Sequence, residues 1–302
     1  MSACIYEELC RIAGERFVQC GEPMSRHTTF RVGGPAEYFV APDRESLPGV
    51  TAFCKTNDIP CLIIGNGSNL LCGDGGVEGV VVEVGKRMSD IQINGTRVTA
   101  EAGALLSAIA AKAAAAGLTG FEFAAGIPGS IGGAAVMNAG AYGGEMRDVL
   151  TEAEVLTEDG EICTFPADDL QLSYRHSVIP EKQYIVLRLS LELQRGVQED
   201  IYAYMAELKE KRVSKQPLEY PSAGSTFKRP EGYFAGKLIE DAGLKGFSRG
   251  GAQVSEKHSG FVINTGHATA EDIRMLMAHV QQTVREKYGV TLEPEVKFIG
   301  SF

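Results

Sequence analysis

Residues 126–144 read GIPGSIGGAAVMNAGAYGG, and seven of these nineteen residues are glycine. Glycine lacks a Cβ atom and adopts positive φ at little cost, so a ligand can approach the backbone N–H groups of such a stretch closely. A flexible linker would be polar, whereas this stretch contains Ile127, Ile131, Val136 and Met137, which favour burial. Composition alone therefore leaves two interpretations open, a tightly packed turn and a cradle for a phosphate or a cofactor.

A second glycine-rich segment, GNGSN at residues 65–69, follows the apolar run Cys61–Ile64, which is typical of a buried strand. Glycine and small polar residues after a strand commonly present N–H groups to a phosphate. The dinucleotide-binding pattern GxGxxG fails because Leu70 stands in place of the third glycine, and neither GxxxxGK[ST] nor HExxH occurs. The sequence therefore predicts two separate cradles, able to hold the two ends of one long anionic cofactor.

The whole chain has 302 residues, of which 44% are hydrophobic and 23% charged, as is ordinary for soluble globular proteins. Its net charge of −10 argues against nucleic acid or an anionic membrane as the main partner. There is no run of about 18 apolar residues to span a bilayer, and the N-terminus carries acids where a signal peptide needs basic residues. Seven cysteines form neither a CxxC pair nor a zinc-like cluster, so we expect reduced thiols, no metal and a cytoplasmic protein.

Hydrophobic periodicity predicts helices at residues 3–13, 43–57, 104–116, 200–212, 234–242 and 269–288, with Asp43 and Thr269 as N-terminal caps and Gly289 after the last helix. The last helix is expected to bury an apolar face made of Ile273, Leu276, Met277, Val280, Val284 and Tyr288. Strands are predicted at residues 37–41, 61–64, 80–84, 91–93, 97–102, 152–157, 161–165, 184–194 and 260–265. In the strand at 184–194, strict alternation predicts one buried face and one mostly solvated face. A domain boundary is expected near residues 197–215, where basic residues precede the extended QPLEYP. Because strands and helices mix without a strict βαβ rhythm, the expected fold class is α+β.

Six segments in order resemble those of the UDP-N-acetylenolpyruvoylglucosamine reductase family, the flavin enzymes that make UDP-N-acetylmuramate for bacterial peptidoglycan. They are GNGSNLL, GIPGSIGGAAVMNAGAYGG, SYRHS, AGSTFKRP, AGKLIEDAGLKG with GGAQVSEKHSGFVINTG, and LEPEVKFIG. The resemblance implies an FAD-binding domain in two lobes, of the vanillyl-alcohol-oxidase type, and a C-terminal α+β substrate-binding domain. The first lobe is assigned to residues 1–86, with 296–302 as a candidate addition, the second to 87–197, and the substrate domain to 198–295. The short interval between SYRHS and AGSTFK resembles the family's short form, which lacks an inserted tyrosine loop.

The same resemblance implies that both cradles line FAD, with the first taking the pyrophosphate. The residues implied to bind the cofactor are Gly65, Asn66, Gly67, Ser68, Asn69, Pro128, Gly129, Ser130, Gly132, Gly133, Asn138, Gly140 and Ala141. Glycines used only for close packing are the alternative.

Three residues are implied to be catalytic, Arg175 in SYRHS, Ser225 in AGSTFK and Glu295 in LEPEVK. NADPH reduces the flavin, whose N5 passes a hydride to the enolpyruvyl group and leaves negative charge beside the substrate carboxylate. The planar, permanently cationic fork of Arg175 suits that charge, Glu295 would act as an acid or orient a donor, and Ser225 would supply the proton. Serine is a weak acid, so its role requires help from a cation such as Lys228 or from a relayed proton. Alone, each of the three has an ordinary interpretation as a surface or turn residue.

Substrate-binding candidates accompany these residues. The substrate diphosphate needs counter-charges, and aromatic rings pack on sugars or on flavin. The candidates are Tyr174, Lys215, Lys228 and Arg229. Family members often have asparagine where Arg229 stands, which puts the hydrogen bond at that position in question.

Two other functions remain open at this stage. One is another FAD oxidoreductase of the same fold, and the other is a non-redox protein that binds a nucleotide sugar. Neither cradle holds the histidine or cysteine that a covalent flavin link needs. The oligomeric state and the preference for NADPH over NADH are not predicted.

Overall fold

The structure is a computed structural model that describes residues 2–302, with side chains from Ile5 onward. The chain divides into two compact units. The first unit comprises the chain up to Gln19, Tyr38–Asn66 and Val80–Arg212, and the second comprises Cys20–Glu37, Gly67–Gly79 and Val213–Phe302. The predicted lobes at 1–86 and 87–197 and the predicted substrate domain at 198–295 stay a prediction.

Helices and strands alternate irregularly along the described residues. The α-helices are α1 Ser2–Ala13, α2 Leu47–Thr56, α3 Leu106–Ala115, α4 Ile131–Val136, α5 Gln198–Lys215, α6 Ala235–Asp241 and α7 Ala270–Tyr288. The strands are β1 Val18–Pro23, β2 Pro35–Val40, β3 Cys61–Ile64, β4 Leu70–Cys72, β5 Val77–Glu83, β6 Ile91–Asn94, β7 Arg97–Glu101, β8 Leu118–Thr119, β9 Gly140–Ala141, β10 Gly144–Glu145, β11 Leu150–Leu156, β12 Ile162–Pro166, β13 Ile185–Glu192, β14 Gln194–Arg195, β15 Ser248–Arg249, β16 Ala252–Val254, β17 Val262–Asn264 and β18 Lys297–Ile299. This mixture agrees with the predicted α+β class.

The main sheet of the first unit has five strands in the order β12, β11, β13, β7, β6, with every neighbouring pair antiparallel. Strands β3 and β5 pair in parallel within a four-stranded sheet ordered β1, β2, β5, β3. In the second unit, β15, β16 and β17 form an antiparallel sheet, and β18 pairs in parallel with β4. Each unit has its own hydrophobic core.

The prediction for β13 was wrong in one respect. Leu187, Leu189 and Leu191 are fully buried as expected, and burying each such side chain stabilises the fold by about 1.5–3 kcal/mol. The opposite face was predicted to be mostly solvated, yet Val186 and Ser190 on that face are also buried. Val186 belongs to the same hydrophobic core as the three leucines, so both faces of this strand contribute to that core. Ser190 donates its hydroxyl to Glu152 at 3.1 Å and so satisfies its buried oxygen.

Helix α7 follows its sequence signals closely. Thr269 accepts a hydrogen bond from the N–H of Asp272 at 3.0 Å, and Gly289 ends the helix at φ +70°. The predicted buried face is present except at Tyr288, which is 40% exposed because it lies in the last turn. Helix α2 begins four residues after Asp43, which was the predicted cap, because Asp43 instead accepts the N–H of Ser46 in the preceding turn.

Six cysteines are free thiols, and the side chain of the seventh, Cys4, lies outside the described residues. Burial raises the pKa of the Cys72 thiol to about 11, which keeps it protonated and unreactive. No helix within residues 2–302 combines the length and the apolar character needed to cross a membrane.

Candidate active site

The two glycine-rich segments meet inside the first unit. Gly65 follows β3 directly, and a Cβ atom at this position would lie 2.5 Å from Oγ of Ser130. Asn66 donates its side-chain amide to the carbonyl of Pro128 at 3.4 Å. The starts of the two segments are therefore neighbours, as expected of two walls of one cradle.

The rest of the first segment belongs to the second unit. Gly67 has φ +62°, and a Cβ atom there would overlap the carbonyl of His27, so only glycine fits without a backbone shift. Asn69 donates its side-chain amide to the carbonyl of Glu295 at 3.0 Å, and its own carbonyl accepts the N–H of Lys297 at 2.9 Å. These bonds tie Asn69 to a predicted catalytic residue. Ser68 is half-buried between these two residues.

Within residues 126–144, the glycines divide into two groups. A Cβ atom at Gly132 would lie 2.8 Å from Cβ of Ala102, and one at Gly140 would lie 2.6 Å from Cβ of Glu145, so close packing explains these two positions. Gly133 is exposed, and the nearest atom to its added Cβ, Oγ of Ser130, is an ordinary 3.6 Å away. The packed-turn interpretation therefore applies to Gly132 and Gly140, and the cradle interpretation applies to Gly133.

The residues present fit an anionic cofactor. Ser130 supplies a hydroxyl, the exposed Gly133 leaves its backbone approachable, and no acidic residue occurs within 65–72 or 126–144 to repel a diphosphate. The carbonyl of Gly129 accepts the N–H of Leu106 at 3.0 Å, which fixes the turn before α4. Ala141 is half-buried in β9.

Arg175 lies at the tip of a tight turn in the first unit. The N–H and carbonyl of Ser173 exchange hydrogen bonds with those of His176, both at 3.1 Å, so Tyr174 and Arg175 form the tip. Arg175 has φ +55°, a conformation that costs a non-glycine residue free energy and that clusters at functional sites. Its Nη2 atom lies 3.5 Å from the carbonyl of Gly140, and its guanidinium carbon lies 5.1 Å from the centre of the Tyr174 ring.

Thr226 links Ser225 to Glu295 in the second unit. It follows Ser225 in the chain and is hydrogen-bonded to Glu295 through the backbone. The N–H of Thr226 donates to the carbonyl of Gly260 at 2.9 Å, and its carbonyl accepts the N–H of Glu295 at 2.9 Å. Its Oγ1 accepts the N–H of Val262 at 2.9 Å. Thr226 is fully buried, whereas Ser225 is exposed and Glu295 is 8% exposed. The exposed Ser225 therefore adjoins a residue whose backbone is bonded to that of the nearly buried Glu295.

The predicted cations of this unit differ in their surroundings. Lys228 forms an ion pair with Glu293 at 2.5 Å, and the same two residues share a backbone bond at 2.8 Å. Arg229 lies over the ring of Phe234 at 4.6 Å, and Lys215 is exposed at the end of α5. Lys228, the cation considered for assisting Ser225, is therefore already paired with a carboxylate.

Sequence reasoning missed Thr226 and His258. Nothing in AGSTFK marks Thr226 as the residue that links Ser225 to Glu295, because its partners are distant in sequence. His258 accepts the N–H of Gly260 on Nδ1 at 3.1 Å, and burial lowers the pKa of the imidazole, so the ring is neutral at pH 7 with its proton on Nε2. In the sequence, His258 could have been singled out only as the histidine of the segment SEKHSG.

Comparisons with known proteins agree with this arrangement. A family model described as an FAD binding domain matches residues 35–166, and one described as the C-terminal domain of UDP-N-acetylenolpyruvoylglucosamine reductase matches residues 216–299. The FAD model spans both glycine-rich segments, so the prediction of FAD as the cofactor is confirmed. The predicted fold class, an FAD-binding region followed by a separate C-terminal domain in an α+β chain, is confirmed as well.

Relatives of the same name extend the match to nearly the whole chain. The UDP-N-acetylenolpyruvoylglucosamine reductase of Agathobacter rectalis is 58% identical, with 93% of each chain covered. The one from Caldanaerobacter subterraneus subsp. tengcongensis is 52% identical, with 99% of each chain covered. The crystal structure of the Thermus caldophilus reductase superimposes with a TM-score of 0.80 at 37% identity, covering 92% of this chain and 97% of that one. The chain therefore belongs to the UDP-N-acetylenolpyruvoylglucosamine reductase family.

Proposed function

We propose that the chain uses NADPH to reduce the enolpyruvyl group of UDP-N-acetylenolpyruvoylglucosamine, yielding UDP-N-acetylmuramate for peptidoglycan synthesis. The observation that carries the proposal is the near-complete coverage of reductases of that name at 52–58% identity. The same relatives support a nucleotide sugar and NADPH as the two substrates. The proposal includes a cytoplasmic location, which suits a chain whose six described cysteines are free thiols.

Held by the two glycine-rich segments, FAD would supply the hydride-transfer chemistry that links NADPH to the terminal carbon of the enolpyruvyl group. The chain's own residues must bind the substrate, hold the charge that develops and supply one proton. We assign the binding of the substrate carboxylate to Arg175, because a guanidinium fork pairs with both carboxylate oxygens and stays charged. The strained backbone at the tip of its loop supports a functional role for this residue.

The proton goes to the carbon beside the carboxylate, and we assign it to the hydroxyl of Ser225. Ser225 is exposed at a fixed place next to Thr226, which is what a donor to a bound ligand requires. The backbone of Glu295 is bonded directly to that of Thr226, and we assign to its carboxyl group the role of orienting Ser225 or replacing the lost proton. Tyr174, Lys215, Lys228 and Arg229 remain proposed substrate contacts, and the twelve cradle residues other than Asn138 remain proposed FAD contacts.

Two measurements test this function. The purified protein should take up FAD, and its oxidation of NADPH should require UDP-N-acetylenolpyruvoylglucosamine and form one equivalent of UDP-N-acetylmuramate for each NADPH. NADPH oxidation at the same rate without that substrate would indicate an FAD oxidoreductase for another substrate. A protein that binds the nucleotide sugar but takes up no FAD would indicate a non-redox binding protein.

A further inference from the structure

Asn138 is a fully buried asparagine within the glycine-rich stretch, and its side chain is bonded to protein on both sides. Its Oδ1 atom accepts the N–H of Arg147 at 2.9 Å, and its Nδ2 atom donates to the carbonyl of Ser173 at 3.1 Å. Its backbone is left-handed, with φ +43°, which asparagine tolerates better than most residues. A side chain that is buried and bonded in this way has little to offer a cofactor directly.

The bond to Ser173 reaches one end of the turn that carries Arg175. The other end is tied to the same region, because Ser177, itself 2% exposed, donates its hydroxyl to the carbonyl of Val136 at 2.6 Å. Residues 173–177 are thus clamped at both ends to residues 136–138. Both bonds come from buried side chains, those of Asn138 and Ser177, and reach partners that are less buried, so removing either side chain removes one of the two attachments of this turn.

The clamp explains how Arg175 keeps an unfavourable backbone conformation. A residue with φ +55° relaxes unless its surroundings hold it in place, and the two bonds act on the residues that flank the tip of the turn. Fixing the tip also fixes where the guanidinium group lies, near the carbonyl of Gly140. The precision of this placement matters because a displacement of about 1 Å can lower a rate on the order of 10²-fold.

We propose that Asn138 is a positioning residue that holds Arg175 ready for the substrate carboxylate, and that it acts through Ser173 instead of contacting FAD. The inference replaces the cofactor-binding role that the sequence implied for Asn138. It rests on the proposed function in one respect, the role of Arg175 toward the carboxylate.

The main test variant is Asn138→Gly, because glycine adopts φ +43° without strain while removing both side-chain bonds. We expect the dissociation constant for FAD and the rate of flavin reduction by NADPH to stay within about twofold of wild type. Turnover of the enolpyruvyl substrate should fall on the order of 10²-fold, the cost of a misplaced catalytic group. Ser177→Ala should show the same pattern more weakly. Asn57→Gly, which removes an exposed bond to the Phe53 carbonyl elsewhere in this unit, should change none of these values.

A double-mutant cycle shows whether the effect passes through Arg175. If Asn138 acts only by placing Arg175, then Arg175→Ala with Asn138→Gly should turn over no more slowly than Arg175→Ala alone. Losses that multiply in the double variant would overturn the proposal. A rise of more than about tenfold in the FAD dissociation constant of Asn138→Gly would do so too, since it would make Asn138 a cofactor ligand.

Amide hydrogen exchange provides a readout that needs no activity. In Asn138→Gly the amides of residues 173–177 should exchange at least about tenfold faster than in wild type, because the clamp is open. Unchanged exchange in this segment would contradict the proposal even if turnover fell. If the wild-type protein does not reduce the enolpyruvyl substrate, the proposed function fails, and the exchange rates still decide whether Asn138 holds the turn.

Discussion

The two regions that carry the proposed catalytic residues are held together in different ways. In the first unit, the Arg175 turn is clamped by the side chains of Asn138 and Ser177. In the second unit, Ser225 and Glu295 are joined mainly by backbone bonds to Thr226. Backbone bonds survive any substitution except proline, whereas a side-chain bond is lost with its side chain. Single substitutions should therefore disorganise the Arg175 turn more easily than the Ser225–Glu295 junction.

The largest effect is expected from removing the proton donor itself. Ser225→Ala should lower the turnover number on the order of 10²–10⁴-fold, the usual contribution of general acid catalysis. Flavin reduction by NADPH should keep its wild-type rate, because no proton from Ser225 is needed there. The two half-reactions can be followed separately by stopped-flow absorbance, with Ser222→Ala as the matched control. Equal loss in both half-reactions would instead indicate damage to folding or to FAD binding.

Substituting Thr226 should have an intermediate effect on turnover. It tests whether the Ser225–Glu295 junction is less sensitive to loss of a side chain than the Arg175 turn. Thr226→Val removes the acceptor for the N–H of Val262 and should lower the free energy of unfolding by about 1–3 kcal/mol. The two backbone bonds of Thr226 remain, so turnover should fall by less than about tenfold, well below the loss expected for Asn138→Gly. Chemical denaturation and steady-state kinetics measure the two effects, and Thr226→Ser, which keeps the oxygen, should be close to wild type. A loss of turnover in Thr226→Val as large as that in Asn138→Gly would break the distinction between the two regions.

The smallest effect is expected from the ion pair between Lys228 and Glu293. Glu293 is 68% exposed, so Glu293→Gln should change the free energy of unfolding by no more than about 1 kcal/mol. If Lys228 also contacts the substrate diphosphate, freeing it from Glu293 should lower KM slightly, and Lys228→Met should raise KM with little change in the turnover number. An unchanged KM in Lys228→Met would remove this residue from the proposed substrate contacts.

Local features of the fold were predictable from the sequence, and long-range features were not. Thr269 and Gly289 mark the ends of α7 because a cap acts on residues within one turn of itself. The solvated face predicted for β13 was wrong at Val186 and Ser190, although Arg188 and Glu192 are exposed as predicted. Burial of a strand face depends on what packs against the sheet, which alternation in one strand cannot reveal. The start of α2 was misplaced because the Asp43 carboxylate serves a turn as readily as a helix.

In the candidate site too, local features were predictable from the sequence and long-range contacts were not. Glycine content pointed to both cradle segments, but not to which glycines are closed by packing, since contacts such as that of Gly132 with Ala102 join distant parts of the chain. The family resemblance implied a cofactor contact for Asn138, whereas its bond to Ser173 is visible only in three dimensions. Nothing in the sequence marked Thr226 as the residue that links Ser225 to Glu295. Positioning residues are hard to predict because their chemistry is ordinary and only their contacts are special.

The proposed function requires this chain to pass reducing equivalents from NADPH through FAD to an enolpyruvyl group. The most direct measurement is an anaerobic single turnover, in which the FAD-loaded protein is reduced by one equivalent of NADPH and then mixed with UDP-N-acetylenolpyruvoylglucosamine. The visible absorbance of oxidised flavin should return, and one equivalent of UDP-N-acetylmuramate should form. Flavin that stays reduced after mixing, with the substrate recovered unchanged, would contradict it.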